Sequence, residues 1–139
     1  PFVTSVMGQN ETLRVALDMT EEWDKATDGA SGLTMGCVVV RTEFAQQNKE
    51  ALDLFLDEYE RSVQTVTSAE GLEHSAQLAE QYNIVKAPVA RKAIPACNIV
   101  FVQGEQMQQI AGGFLEVLYQ ANPKSVGGKL PDANFYYNR

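Results

Sequence analysis

Residues 33–41 read LTMGCVVVR, and this stretch decides the fold class that the sequence predicts. It contains three consecutive valines, Val38 to Val40, and β-branched side chains favour strands. The run is almost continuously apolar, which is typical of a strand that is covered on both faces of its sheet. We therefore expect the most deeply buried strand of the protein here.

Two shorter apolar runs, 13–17 and 98–102, predict further strands. Helical patterns separate the three runs, and strands separated by helices favour parallel pairing in an α/β fold. So few strands make a small sheet. Together with the start at Pro1, this shortage leads us to expect that part of the fold lies outside this chain.

Six helices are predicted, each with a signal at one end or along one face. Residues 1–10 and 87–93 form short helices near a proline, and Asp18 caps another that runs through Trp23. The next two are long and amphipathic, with Asn48 and Ser68 as N-caps. The last one ends before Pro123 and contains Gly112 and Gly113, which we attribute to close packing against a neighbour. The apolar faces of the three long helices consist of Leu52, Phe55, Leu56, Tyr59, Val63 and Val66; Leu72, Ala76, Ala79 and Tyr82; and Met107, Ile110, Ala111, Phe114, Leu118 and Ala121.

The composition is that of an ordinary globular domain with an acidic balance. The 139 residues are 45% hydrophobic and 21% charged, and the formal net charge is −7. An acidic chain without a basic stripe repels phosphate backbones, so we expect no nucleic-acid partner. No run approaches the roughly 20 apolar residues of a membrane span, and no signal peptide is recognisable.

Residues that could carry catalysis or bind a metal are few. Cys37, Cys97 and the single histidine, His74, lie far apart in sequence, whereas a structural zinc site needs four ligands. The two cysteines either form a disulfide or remain as buried free thiols. His74 falls off the apolar face of its helix, as a surface histidine does. Neither GxSxG nor a phosphate-binding loop occurs. We expect no enzyme, no catalytic residue, no cofactor and no metal site.

Two features favour a ligand cleft. Trp23, the only tryptophan, follows a predicted helix start and precedes a Gly-rich loop, so it either lines a cleft or packs on a sheet edge. Met35, Gly36 and Cys37 open the predicted buried strand, where chain ends border clefts in open α/β folds. The alternative for Gly36 is a glycine required by tight packing.

Three segments resemble the substrate-binding proteins of ABC importers, with the NitT/TauT-like family as the nearest group. They are Pro1-Phe2-Val3, residues 15–23 (VALDMTEEW) and residues 36–44 (GCVVVRTEF). The resemblance continues through the helical segments 48–56 and 76–90 and the tail GGKLPD at 127–132. That family includes binders of nitrate, sulfonates and thiamine precursors.

The resemblance implies a partial, helix-rich α/β fold of the periplasmic-binding-protein-like type II class. Residues 1–35 would be a remnant of the second lobe, residues 36–123 the hinge-crossing strand with the helical part of the first lobe, and residues 124–139 an irregular arm. The protein would be the extracellular or periplasmic solute-binding component of an importer, anchored as a lipoprotein. It would capture a small molecule between two lobes and deliver it to a membrane permease.

Under this resemblance the ligand-binding residues are Phe2, Trp23, Met35, Gly36 and Cys37. The partners are the solute, the permease, and either a missing amino-terminal segment or a second copy that covers exposed apolar surface. Two rivals are a thiamine-pyrimidine synthase-like enzyme and a ligand-sensing regulatory domain. The first lacks a cysteine cluster beside His74, and the second lacks a visible helix-turn-helix.

Overall fold

A computed structural model describes residues 1–139, and its only regular elements are helices. Helical residues make up 65% of the chain, and no strand is present. No helix combines the length and apolar character that crossing a membrane requires. The α-helices are α1 (Phe2–Gln9), α2 (Met19–Thr27), α3 (Thr42–Gln47), α4 (Lys49–Thr67), α5 (Ala69–Gln81), α6 (Ala87–Ala93) and α7 (Gly104–Ala121), and short 3₁₀ turns span Ile94–Ala96, Pro123–Val126 and Ala133–Phe135.

The predicted α/β fold, and with it the partial periplasmic-binding-protein-like class, is therefore wrong. Residues 33–40, expected to form the most buried strand, belong to no helix or strand. The side chain of Met35 is 88% exposed and that of Val39 is 80% exposed. A strand requires a second strand to bond with, and no other segment of this chain forms backbone hydrogen bonds with residues 33–40.

The other two predicted strands fail for the same reason. Residues 13–17 and 98–102 form no ladder, and Leu17 and Val100 are both exposed. Phe101 packs against a helix instead of a strand, with its ring 5.9 Å from that of Tyr59 in α4. Apolar runs with strand-like composition are thus left as connections between helices.

The helix starts, by contrast, follow the predicted capping chemistry. Asp18 accepts hydrogen bonds from the backbone N–H groups of Thr20 and Glu21, at 2.9 and 3.3 Å. Ser68 accepts one from the N–H of Gly71 at 2.9 Å. Asn48 precedes α4 as expected, but its side chain makes no capping bond to that helix. These local interactions fix where the helices begin without reference to tertiary packing.

The chain divides into two compact units. The first comprises residues 1–14 and 41–101, and the second comprises residues 15–40 and 102–139. In the first unit α5 packs against both α4 and α6. Its buried apolar side chains are small or medium in size, namely Leu52, Val63, Ala76, Ala90 and Ala93. Three of the five are alanines on α5 and α6, so these two helices approach closely.

Charged side chains add to the contact between α5 and α6. Arg91 donates two hydrogen bonds to the carboxylate of Glu73, at 2.6 and 2.8 Å. Glu80 accepts from the backbone N–H of Ala87 at 3.0 Å and from Lys86 at 2.9 Å, and thereby caps α6. The Arg91 hydrogen bond lowers the pKa of Glu73, and the Ala87 N–H, followed by Lys86, lowers the pKa of Glu80.

The chain buries little of its surface. Its accessible area is 10647 Å² for a mass of 15.3 kDa. A folded monomer of this mass exposes about 7,100 Å², and two separate domains of the sizes of the two units would together expose about 8,600 Å². The excess of roughly 2,000 Å² over even the second figure indicates that much apolar surface has no cover within the chain.

The buried alanines yield a stability prediction. Ala76→Leu should lower the free energy of unfolding by about 1–3 kcal/mol, because the larger side chain has no space between α5 and its neighbours. Ala51→Leu, at an exposed position of α4, is the matched control and should change it by less than about 0.5 kcal/mol. Urea unfolding followed by circular dichroism measures both. Equal effects at the two positions would contradict the proposed α5 contact.

The two carboxylates yield a pH prediction. Both have a pKa below the usual value of 4.5 in the folded state, so their contribution is present above that value and is lost as the pH falls through the lowered pKa. The double variant E73Q/E80Q should melt at a lower temperature than the wild type at pH 7, and the gap should close towards pH 3. A gap that is constant over this range would count against the two contacts.

Candidate functional site

A turn after α2 brings together the residues of the candidate site, which lies within the second unit. The helix ends where Asp28 and Gly29 adopt left-handed conformations, with φ of 52° and 69°. The Thr27 hydroxyl donates to the carbonyl oxygen of Trp23 at 2.9 Å and lies 3.3 Å from that of Ser31. The chain therefore reverses, and Ser31 returns to the side of Trp23.

Trp23 is held by contacts on two sides. Its indole Nε1 donates to the carbonyl oxygen of Ser31 at 2.9 Å, and its ring lies 5.1 Å from that of Phe114 in α7, tilted by 44°. The sequence left open whether Trp23 lines a cleft or packs on a sheet edge. It packs on a helix and, at the same time, borders a cleft. With its N–H already bonded, the indole offers a ligand only its ring.

Two glycines, Gly32 and Gly113, allow the turn that follows α2 to lie close to α7. A Cβ built on Gly113 would lie 3.2 Å from the Cβ of Ser31, and one on Gly32 would lie 3.2 Å from a methyl group of Ile110. Both distances are tighter than ordinary van der Waals contact. The expectation that close packing explains a glycine inside the last helix is thus confirmed for Gly113.

The resulting cleft is an open depression on the surface with a volume of about 420 Å³. Its surface is mainly apolar. Ser31 is 8% exposed, and its hydroxyl oxygen has no hydrogen-bond partner. This oxygen has almost no accessible surface, so a ligand in the cleft cannot reach it without movement of the loop. The lining consists of Trp23, Ala26, Thr27, Ala30, Ser31, Gly113, Glu116 and Val117.

The charge at the cleft is negative. No lysine or arginine lines it, and Glu116 does. The carboxylate of Glu116 is exposed and accepts a hydrogen bond from Gln120 at 2.7 Å. This arrangement favours neutral or cationic molecules over anions.

The other residues predicted to bind ligand lie elsewhere. Met35, Gly36 and Cys37 belong to the exposed segment 33–40 and do not line the cleft. Phe2 is 84% exposed on α1, in the first unit. The sequence analysis did not identify Ser31 or Glu116. The loop composition of residues 27–32 and the presence of Gly113 in α7 were the signals for the contact between this loop and α7.

The remaining candidate groups form no second cluster. Cys37 and Cys97 are free and exposed, so the disulfide does not form and the predicted burial of the thiols is wrong. His74 is exposed on α5, as expected. No three His, Cys, Asp or Glu side chains lie close enough together to hold a metal ion. A smaller cleft of about 200 Å³ lies between α7 and the C-terminal arm, beside Gly112 and Tyr136.

Comparisons with protein-family models, with curated proteins and with solved structures found no match to this chain.

Two neighbouring glycines of α7 allow a matched test of the cleft floor. Gly112→Ala should stabilise the protein by about 0.5–1 kcal/mol, because its new methyl group meets only the Tyr136 hydroxyl at an ordinary 3.6 Å. Gly113→Ala should give less stability than Gly112→Ala, since Ser31 must move to admit the methyl group. Thermal unfolding measures the difference. Equal gains would show that Ser31 does not rest on Gly113.

Proposed function

We propose that this chain is the solute-binding component of an ABC importer, which captures a small molecule and delivers it to a membrane permease. The observation that carries the proposal is the cleft bordered by Trp23. Trp23 is also the last residue of 15–23, one of the segments that resemble substrate-binding proteins of such importers. The proposal makes no use of an α/β architecture.

The chemistry of the cleft supports a binding role. An aromatic ring at one side provides apolar contact area, and the small residues Ala30 and Gly113 leave space beside it. The exposed carboxylate of Glu116 provides one polar contact. Small-molecule sites combine these properties, namely a mostly apolar wall and a few placed polar groups.

The charge of the cleft selects among the ligands of the resembling family. Nitrate and sulfonates are anions, and binding them calls for a positive group that the lining residues do not provide. An aminopyrimidine is flat, is neutral or weakly cationic, and donates hydrogen bonds through its amino group. We therefore propose that the solute is a planar nitrogen heterocycle that lies against Trp23 and donates a hydrogen bond to Glu116.

The cellular context of the proposal comes from the resemblance alone. A binding component of this kind works outside the cytoplasmic membrane, in extracellular or periplasmic space, and is commonly held there as a lipoprotein. Its partner is the permease that receives the solute. We put forward neither the synthase-like enzyme nor the regulatory domain as a second function, because no contact of His74 or of any other side chain favours them.

Trp23 makes the proposal directly testable, because it is the only tryptophan and its fluorescence reports on the cleft. Titration with an aminopyrimidine should change the emission saturably, whereas nitrate and an alkylsulfonate should not. Glu116→Ala should weaken aminopyrimidine binding about 2- to 10-fold through the loss of one hydrogen bond.

Glu50→Ala, at an exposed position of α4, is the matched control and should leave the affinity unchanged. No saturable change with any of these compounds would overturn the proposal. Binding of the sulfonate but not of the pyrimidine would keep a binding function and reject the assigned ligand class.

A further inference from the structure

Residues 33–40 present an unusual surface, since their backbone groups are unpaired and most of their side chains are exposed. No N–H or C=O group of these eight residues takes part in a hydrogen bond. Residues 35–40 are all exposed, and they include Met35, Val38, Val39 and Val40. A stretch with free backbone groups and apolar side chains is a template for pairing with another extended chain.

The side-chain pattern favours a second copy of the same stretch. In an extended conformation, Leu33, Met35, Cys37 and Val39 point to one face because side chains alternate. Two copies that run antiparallel around Cys37 place Met35 of each opposite Val39 of the other, on this same face. The register is symmetric, because each copy makes the same contacts with the other, and a two-fold interface requires this symmetry.

Charge repulsion does not oppose the pairing of residues 33–40 of two copies. Residues 33–40 contain no charged side chain, so no like charges face each other within the ladder. Arg41, at the end of the stretch, falls opposite Leu33 of the other copy. A partner strand with charged residues would gain nothing here, whereas a strand of identical sequence places apolar residues opposite each other from Met35 to Val39.

The uncovered area has the size that a dimer needs. The accessible area exceeds that of two separate compact bodies of this size by roughly 2,000 Å². Specific, stable interfaces bury about 1,200–2,000 Å² in total, or about 600–1,000 Å² of each copy. A two-stranded ladder is marginal by itself, so burial of this further apolar surface would supply the rest of the stability. The net charge of −7 on each copy opposes association, and added salt screens that repulsion.

We propose that the protein forms a homodimer in which residues 33–41 of two copies pair as antiparallel strands centred on Cys37. The proposal is independent of the cleft and of the solute-binding function. It concerns an interface between copies, and the strand exists only in the dimer.

Charge substitutions test this register directly, with sedimentation velocity as the measurement. The wild-type protein should show a concentration-dependent dimer that salt strengthens. M35K/V39K should be monomeric, because lysines then face each other across the interface. M35E/V39K should restore the dimer, because each glutamate faces a lysine of the other copy. These side chains are exposed in the single chain, so unchanged circular dichroism and Trp23 fluorescence would confirm folding.

A disulfide trap provides the second measurement, with oxidised glutathione as the oxidant. In C97S protein the two Cys37 thiols lie opposite each other and should join in one covalent dimer, while glutathione takes up the two electrons and two protons. In C37S/V38C/C97S protein the thiol introduced by V38C faces Gly36 of the other copy, so the intermolecular disulfide should form much more slowly. A wild type that stays monomeric at all concentrations and salt levels would overturn the proposal. The register would be wrong if the V38C variant formed its disulfide faster than the Cys37 protein. It would also be wrong if M35E/V39K remained monomeric.

Discussion

Backbone N–H and C=O groups need hydrogen-bond partners, and within this chain only the helices supply them in regular arrays. A helix satisfies its backbone from its own residues, whereas a strand depends on another segment lying beside it. Seven α-helices form here, and three apolar segments with strand-like composition remain without a partner strand. The shortage of partners explains the small core, the exposed valines and the large accessible area together. It also explains why the chain presents surface that a further copy or ligand can cover.

The helices could be predicted because their signals are local. The apolar spacing of 52–66 and the capping residues Asp18 and Ser68 specify helix positions within a few residues of sequence. The strands could not be predicted reliably, since Val38 to Val40 look the same whether or not another strand lies beside them. Burial was misjudged for the same reason. Tyr82 continues the apolar face of α5 in sequence, yet it lies just after the last residue of that helix and its side chain is exposed.

The candidate site shows the same division between local and tertiary information. Trp23 could be singled out from its type and its position before a glycine-rich loop. Its neighbours Phe114 and Glu116 lie some ninety residues along the chain, and no pattern in the sequence connects them to α2. Gly113 gave the one long-range hint, because a glycine in a helix interior indicates a close neighbour. Which neighbour it meets, Ser31, became known only from the packing of the loop against α7.

The central claim is that residues 33–40 have no backbone partner within a single chain. Hydrogen exchange of the amides, measured by mass spectrometry on protein diluted until it is monomeric, tests this claim most directly. We expect amides 33–40 to exchange at the rate of an unprotected peptide and amides in the middle of α4 and α5 to be strongly protected. Slow exchange throughout residues 33–40 in the monomer would show that these residues do pair within one chain, which contradicts the unpaired backbone described above.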